Sequence, residues 1–151
     1  MARYRRKEKV YKIKGNAISG YGMYAKWDLP KDTILFQGEE KAQRIVTKKF
    51  VDENWDEREK LNFRRYAYPI SKDVYILWDL QPEEWSPQNH HCDANCTYIG
   101  LNVVINKAVQ KGEELTLDYG SFLDETMEPF NCNCGAANCR GLIKGTAGNK
   151  I

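Results

Sequence analysis

No stretch of this chain is apolar for long enough to cross a bilayer as a helix, and its basic opening, MARYRRKEKVYKIKG, leads into no apolar signal core or small-residue cleavage site. Neither membrane insertion nor secretion is expected, which points to an intracellular, thiol-reducing home in cytoplasm or nucleus and to no membrane partner. There is no internal repeat and no low-complexity linker, so 151 residues fit one domain around one sizeable core. Histidine is scarce. With only His90 and His91 available, a histidine-rich catalytic metal site is excluded. His91 and Cys92, as neighbours, project to opposite sides of an extended backbone and make a poor nucleophile pair. Charge of one sign is also missing, the formal net being +2, yet the charges are segregated. Arg3, Arg5, Arg6, Lys7, Lys9, Lys12 and Lys14 crowd the start, while Asp52, Glu53, Asp56, Glu57 and Glu59 cluster later. Such a basic arm suits contact with nucleic acid phosphates but is more often an ordinary solvated terminus.

What is present is enough for a folded protein: 42% of the residues are apolar and 12% aromatic, above the range of disordered chains. Short β-branched or aromatic runs bounded by turn residues predict strands over 22–25, 33–37, 74–80, 102–106 and 114–117. Only 47–65 looks helical. There Phe50, Val51, Trp55 and Leu61 are spread among charges, with Thr47 or Asp52 as N-cap, which predicts one or two short helices. The fold class is therefore mainly β with a short helical insert.

Five cysteines are an odd number, and Cys132, Cys134 and Cys139 lie too close together for an ordinary disulfide framework. Three thiolates within eight residues, in PFNCNCGAANCRG, read as soft ligands for zinc, with Gly135, Ala136 and Ala137 letting the backbone turn around the ion. A structural zinc needs a fourth ligand, and Cys92, Cys96, His90 and His91 are all available in the run NHHCDANC. The segment KGEELTLDYG reads as a turn followed by a strand that ends with Tyr119 against Gly120. By itself it is an ordinary strand with a half-buried phenol.

Together these segments resemble the SET-domain protein lysine methyltransferases with a post-SET zinc tail, in that family's order and over about residues 12 to 143. GYGMYAKWDLPKDTILFQGEE looks like the family's opening, with Gly20 and Gly22 as its Gly-x-Gly and Gly38-Glu39 closing it. NHHCDANC is similar to the Asn-His-Ser-Cys-x-Pro-Asn signature, GEELTLDYG to Gly-Glu-Glu-Leu-Thr-x-Asp-Tyr-Gly, and CNCGAANCRG to the Cys-x-Cys-x4-Cys-Arg-Gly tail.

The resemblance implies a SET-domain fold of small curved sheets, in which the chain near Tyr119 passes beneath the loop at Asn89 as a pseudoknot, closed by a zinc-bound post-SET segment. It divides the chain into a basic arm (1–11), a SET domain (12–125, insert about 43–73), a post-SET segment (126–143) and a flexible tail (144–151). It assigns Cys92 as the fourth zinc ligand beside Cys132, Cys134 and Cys139, and leaves Cys96 as a buried thiol. It implies S-adenosylmethionine as methyl donor, held by main-chain groups of Gly20, Tyr21 and Gly22 and by Asn89 and His90. The acceptor would be a lysine of a protein substrate, with Tyr119 and Tyr98 as catalytic hydroxyls and Trp85 and Tyr66 as further channel walls.

The chain departs from the family pattern at His91 (usually Ser), at Ala94 (usually Pro), and before Asn89, where residues 84–88 lack the common Arg-Phe-x. Phe36 stands where a hydroxylated aromatic is common, and Leu117 where a Phe or Tyr often sets the number of methyl groups added. Acidic residues near the expected site, Asp79, Glu83, Glu84, Asp124, Glu125 and Glu128, favour a basic substrate such as a histone or ribosomal protein. A catalytically silent SET-like module, or a zinc-stabilised module binding basic peptide or nucleic acid, is the alternative. Retention of Tyr119, Asn89 and the cysteines speaks against it.

Overall fold

The computed structural model describes residues 8–38, 41–78 and 87–150, apart from the side chains of the last two. Arg3, Arg5, Arg6, Lys7, Glu39, Asp79, Glu83, Glu84 and Trp85, all weighed above, lie outside the described residues.

The chain begins with a hairpin of β1 (Tyr11–Asn16) and β2 (Gly20–Ala25), antiparallel with Asn16 opposite Gly20. Its turn is built by Asn16, whose Oδ1 accepts the main-chain N–H groups of Ile18 and Ser19 at 3.0 and 2.7 Å, an Asx-type closure. Gly20 leaves that turn at φ +86°, a left-handed conformation that suits glycine. Gly20 and Gly22 thus belong to a strand, and the turn lies just before them.

β3 (Ile34–Gln37) pairs with β9 (Asn102–Ile105), which also pairs with β8 (Cys96–Ile99), forming one antiparallel three-stranded sheet. A second such sheet has β6 (Val74–Trp78) between β4 (Gln43–Thr47) and β5 (Tyr68–Ser71). Its connection is helical: α1 (Lys48–Asn54) and α2 (Glu57–Tyr66). Thr47 caps α1 by accepting from Phe50 N–H at 3.1 Å. Asp52 does not act as a cap; it lies inside α1, and its carboxylate meets Lys48 at 2.8 Å. α2 starts at Asp56, which forms a capping box with Glu59. The helices bury Val51 and Phe63 against Ala67, Tyr75 and Leu77.

The main core joins the hairpin to the first sheet through Tyr11, Met23, Ala25, Leu35, Val103, Ile105, Leu115 and Leu117. Two short strands complete it. β7 (Asn89–His90) runs parallel to β10 (Thr116–Leu117), bringing the histidine-containing loop beside the segment that leads to Tyr119. The strand predicted over 114–117 is shorter than expected, with Glu114 making only an isolated bridge to Tyr24. After β10, Asp118 accepts from Gly120 N–H and starts the one-turn helix α3 (Tyr119–Phe122). Tyr119 therefore opens a helix instead of ending a strand, because a cap at Asp118 stops the strand first.

The C-terminal part pairs β11 (Phe130–Asn131) with β12 (Leu142–Ile143) and packs Leu123, Met127 and Ile143 against Cys92. It is tied to the second sheet and its helices: Tyr75 O–H on β6 donates to Asp124 Oδ2 at 2.7 Å, and Glu128 N–H to Arg64 O on α2 at 3.0 Å. Thr146 and Ala147 N–H groups donate to the carbonyls of Gly120 and Leu123. Among the described residues no helix is long and apolar enough to cross a membrane.

Candidate active site

Asn89 is held at the meeting of three segments. Its Nδ2 lies 2.8 Å from Tyr21 O, 2.7 Å from Glu114 Oε2 and 2.9 Å from Ser19 Oγ, so its hydrogens are taken and its Oδ1 is the atom left to face outward. This arrangement brings Gly20, Tyr21 and Gly22 beside Asn89. His90, next along β7, accepts the Tyr119 main-chain N–H on Nδ1 at 3.1 Å, which puts its proton on Nε2, 3.5 Å from Cys92 Sγ. Burial lowers the pKa of His90 against the opposing pull of Asp118, so the ring is neutral at neutral pH.

Asn89 and His90 open onto a pocket of about 460 Å³, lined also by Tyr119, by Arg65 and Tyr66 from the end of α2, and by Met127 to Phe130. Its volume is that of a small-molecule site. Gly20 to Gly22 flank Asn89 but are not among the lining residues.

Tyr119 belongs to this pocket and to an aromatic array behind it. Its ring meets Phe122 at 5.4 Å, Phe122 meets Tyr98 at 4.7 Å, and Tyr98 lies against Tyr68 at 4.8 Å and Trp78 at 6.0 Å. Phe36, like Tyr98 and Tyr119, packs on the main core, and the ammonium of Lys41 rests 3.9 Å from the Phe36 ring centroid. The Tyr119 hydroxyl donates to the main-chain carbonyl of Gln88. With its proton committed there, the oxygen presents lone pairs to whatever approaches. Burial raises the pKa of both Tyr119 and Tyr98, so both stay protonated and neither serves as a base at neutral pH.

The sulfurs of Cys92, Cys132, Cys134 and Cys139 all lie within 4.8 Å of one another, with Cys92 and Cys132 at 3.9 Å. Four sulfurs around a zinc at about 2.3 Å are about 3.8 Å apart, so the set fits a tetrahedral ion. Main-chain N–H groups of Cys92 and Ala136 bring Cys134 down to about 6, while burial pushes Cys132 up to about 12. Cys96 stands apart in the core at 2% exposure, its thiol pushed up to about 12 by burial. Arg140 connects the cluster to the pocket: its N–H points at Cys92 Sγ at 3.4 Å, and its guanidinium meets Asp118, the cap before Tyr119, at 2.6 Å.

The structure therefore places Asn89, His90 and Tyr119 around one pocket, Tyr98 in the adjoining array, and the four cysteines together. Tyr66 faces the pocket rather than the array. Tyr68, Trp78, Phe122, Arg65, Phe130 and the Gln88 carbonyl were not read as site groups from the sequence. Only the spacing of Phe122 from Tyr119 carried a signal, since three residues along a helix place two side chains on one face.

The SET domain family model matches residues 20–120. Among curated relatives, Histone-lysine N-methyltransferase 2D of Homo sapiens is 28% identical over 142 residues, covering 89% of this chain and 2% of that protein. Histone-lysine N-methyltransferase ASHR3 of Arabidopsis thaliana is 29% identical over 147 residues, covering 91% of this chain and 29% of that protein. The chain thus spans a small part of these relatives' length. Among solved structures, that of a proposed histone methyltransferase of Plasmodium falciparum matches with a TM-score of 0.48 and 18% identity, covering 75% of this chain and 95% of that one. With a family model matched over two thirds of its length and a mainly β structure that brings the matched segments together, the chain belongs to the SET-domain family.

Proposed function

We propose that this chain transfers the methyl group of S-adenosylmethionine to the side-chain amine of a lysine in a basic protein inside the cell, with a histone as the first candidate and ribosomal proteins as the next. The observation that carries this reading is the position of Tyr119. It lines the pocket on one side and the aromatic array on the other, with its hydroxyl proton committed to Gln88 O. A donor in the pocket and a lysine in the array would meet at that oxygen.

The residues present fit such a donor. The pocket has the volume of a small-molecule site, Asn89 Oδ1 suits an ammonium, and the rings of His90 and Phe130, 5.2 Å apart, offer apolar faces for an adenine. Bound S-adenosylmethionine supplies an electrophilic sulfonium methyl; the remaining tasks fall to the protein. A lysine amine must be neutral before it can attack, which costs about 4.6 kcal/mol at pH 7 from a reference pKa near 10.4. The array of Tyr98, Tyr68, Trp78 and Phe122 lowers that cost by excluding water and disfavouring the ammonium. The Tyr119 oxygen then accepts from the amine or the methyl group and fixes their alignment, a positioning task that needs no strong base. The four cysteines hold one zinc, whose role is to fix the segment that carries Phe130 to the loop that carries His90.

Incubation of the purified chain with methyl-labelled S-adenosylmethionine and a panel of histones and ribosomal proteins, followed by mass spectrometry, tests the reading. Label on a lysine of a basic protein is the expected result. Absence of donor binding in calorimetry at millimolar concentration would replace it with that of a silent binding module.

A further inference from the structure

The amino-acid end of S-adenosylmethionine carries an ammonium and a carboxylate, and the carboxylate needs hydrogen-bond donors. Most donors around the pocket are already committed. The two hydrogens of Asn89 Nδ2 serve Tyr21 O, Glu114 Oε2 and Ser19 Oγ. The His90 proton on Nε2 faces Cys92 Sγ, and the Tyr119 hydroxyl donates to Gln88 O. The main-chain N–H of Met127 goes to Asp124 O, and that of Glu128 to Arg64 O. The lining side chains that keep donors to offer are the guanidinium of Arg65 and the hydroxyl of Tyr66.

Arg65 is also the one positive side chain in that lining, and among the described residues it has no ion-pair partner. Its backbone is held in place. It sits in the last turn of α2, whose C-cap Ala67 N–H returns to Phe63 O, and the adjoining Arg64 carbonyl takes the Glu128 N–H at 3.0 Å. Helix and pocket rim are thereby fastened together one residue from the guanidinium. In sequence, the five residues before Asn89, 84–88, contain no basic residue.

We infer that Arg65, on the helical insert, is the carboxylate-binding residue of the donor pocket, with the Tyr66 hydroxyl beside it. The inference rests on the S-adenosylmethionine reading above. It makes the insert a part of donor recognition: a planar guanidinium offers a carboxylate two parallel donors, which a lysine cannot match. The competing role for Arg65 is to offset the helix dipole at the end of α2, a surface effect with no ligand attached.

The two roles separate in a binding cycle on the full chain. S-adenosylhomocysteine and its decarboxylated analogue, which lacks only the carboxylate, are titrated by calorimetry into the wild type, Arg65→Gln and Arg65→Lys. Arg65→Gln is expected to weaken S-adenosylhomocysteine about tenfold to a hundredfold, as loss of a charged hydrogen bond does, with Arg65→Lys in between. The decarboxylated analogue should bind all three proteins alike. Unchanged affinity for S-adenosylhomocysteine in Arg65→Gln overturns the inference, and so does an equal loss for both ligands, which would mark a structural role. The melting temperature of each unliganded variant verifies that it is folded. A wild type that binds neither ligand fails differently: it removes the donor reading itself, and Arg65 loses its assignment with it.

Discussion

A side chain at Gly22 would have to push aside the polar ends of its neighbours. A Cβ there would overlap Oε2 of Glu114 and stand 3.1 Å from Nδ2 of Asn89, the two groups that define the floor of the Asn89 cradle. Gly22→Ala is therefore expected to cost no more than about 1 kcal/mol in urea unfolding, the low end of the overpacking range because side-chain ends can yield, and to weaken donor binding as Glu114 and Asn89 are displaced. Unchanged binding and stability would show that the cradle is looser than its contacts indicate. Residue type and spacing point to a metal at Cys132, Cys134 and Cys139, whereas Gly22, Asn89 and Cys92 are singled out only by the family resemblance. The sequence is silent on Arg65 and Phe130. An arginine in the last turn of a helix and a phenylalanine before a cysteine are ordinary residues until tertiary contacts bring them to one pocket.

At the scale of elements, the capping box of Asp56 and Glu59 starts the helix that carries Arg65 to the pocket. Asp56→Ala removes one side of that box and should lower stability by about 1 kcal/mol, measured by chemical denaturation. An unchanged denaturation midpoint would mean that α2 is held by packing alone. The Asp-x-x-Glu signature is open to view in DERE, whereas caps at Thr47 or Asp52 alone leave one helix or two equally compatible with 47–65. Tyr119 shows the opposite limit. Alternating Leu115 and Leu117 predict a strand that continues, and local bonds donated by Gly120 and Ser121 N–H to Asp118 turn the chain into α3. The strands β1, β4, β5 and β8 are not marked by the sequence because β1 and β4 are largely polar and exposed and β5 and β8 are short, so pairing partners rather than local pattern define them.

At the scale of the whole molecule, the four cysteines join chain segments some forty residues apart, and Arg140 carries that junction to Asp118 and thus to Tyr119. The purified chain should contain one zinc by elemental analysis, and chelation or Cys139→Ser should release it and abolish methyl transfer. Full activity in a preparation free of zinc would contradict this. The family's motif order made the long-range arrangement legible where periodicity could not, since nothing local in NHHCDANC or KGEELTLDYG indicates that β7 and β10 lie side by side. The central claim is that Tyr119 aligns a lysine amine with a methyl donor, and the most direct measurement compares single-turnover methyl transfer by the wild type and Tyr119→Phe under saturating S-adenosylmethionine and substrate. The change removes one oxygen and almost no volume, leaving the ring contacts with Phe122 and Phe130 in place. The account predicts a variant that melts near the wild type, binds S-adenosylmethionine normally, and transfers methyl groups about a hundredfold to a thousandfold more slowly. A folded Tyr119→Phe protein that methylates at the wild-type rate would contradict it.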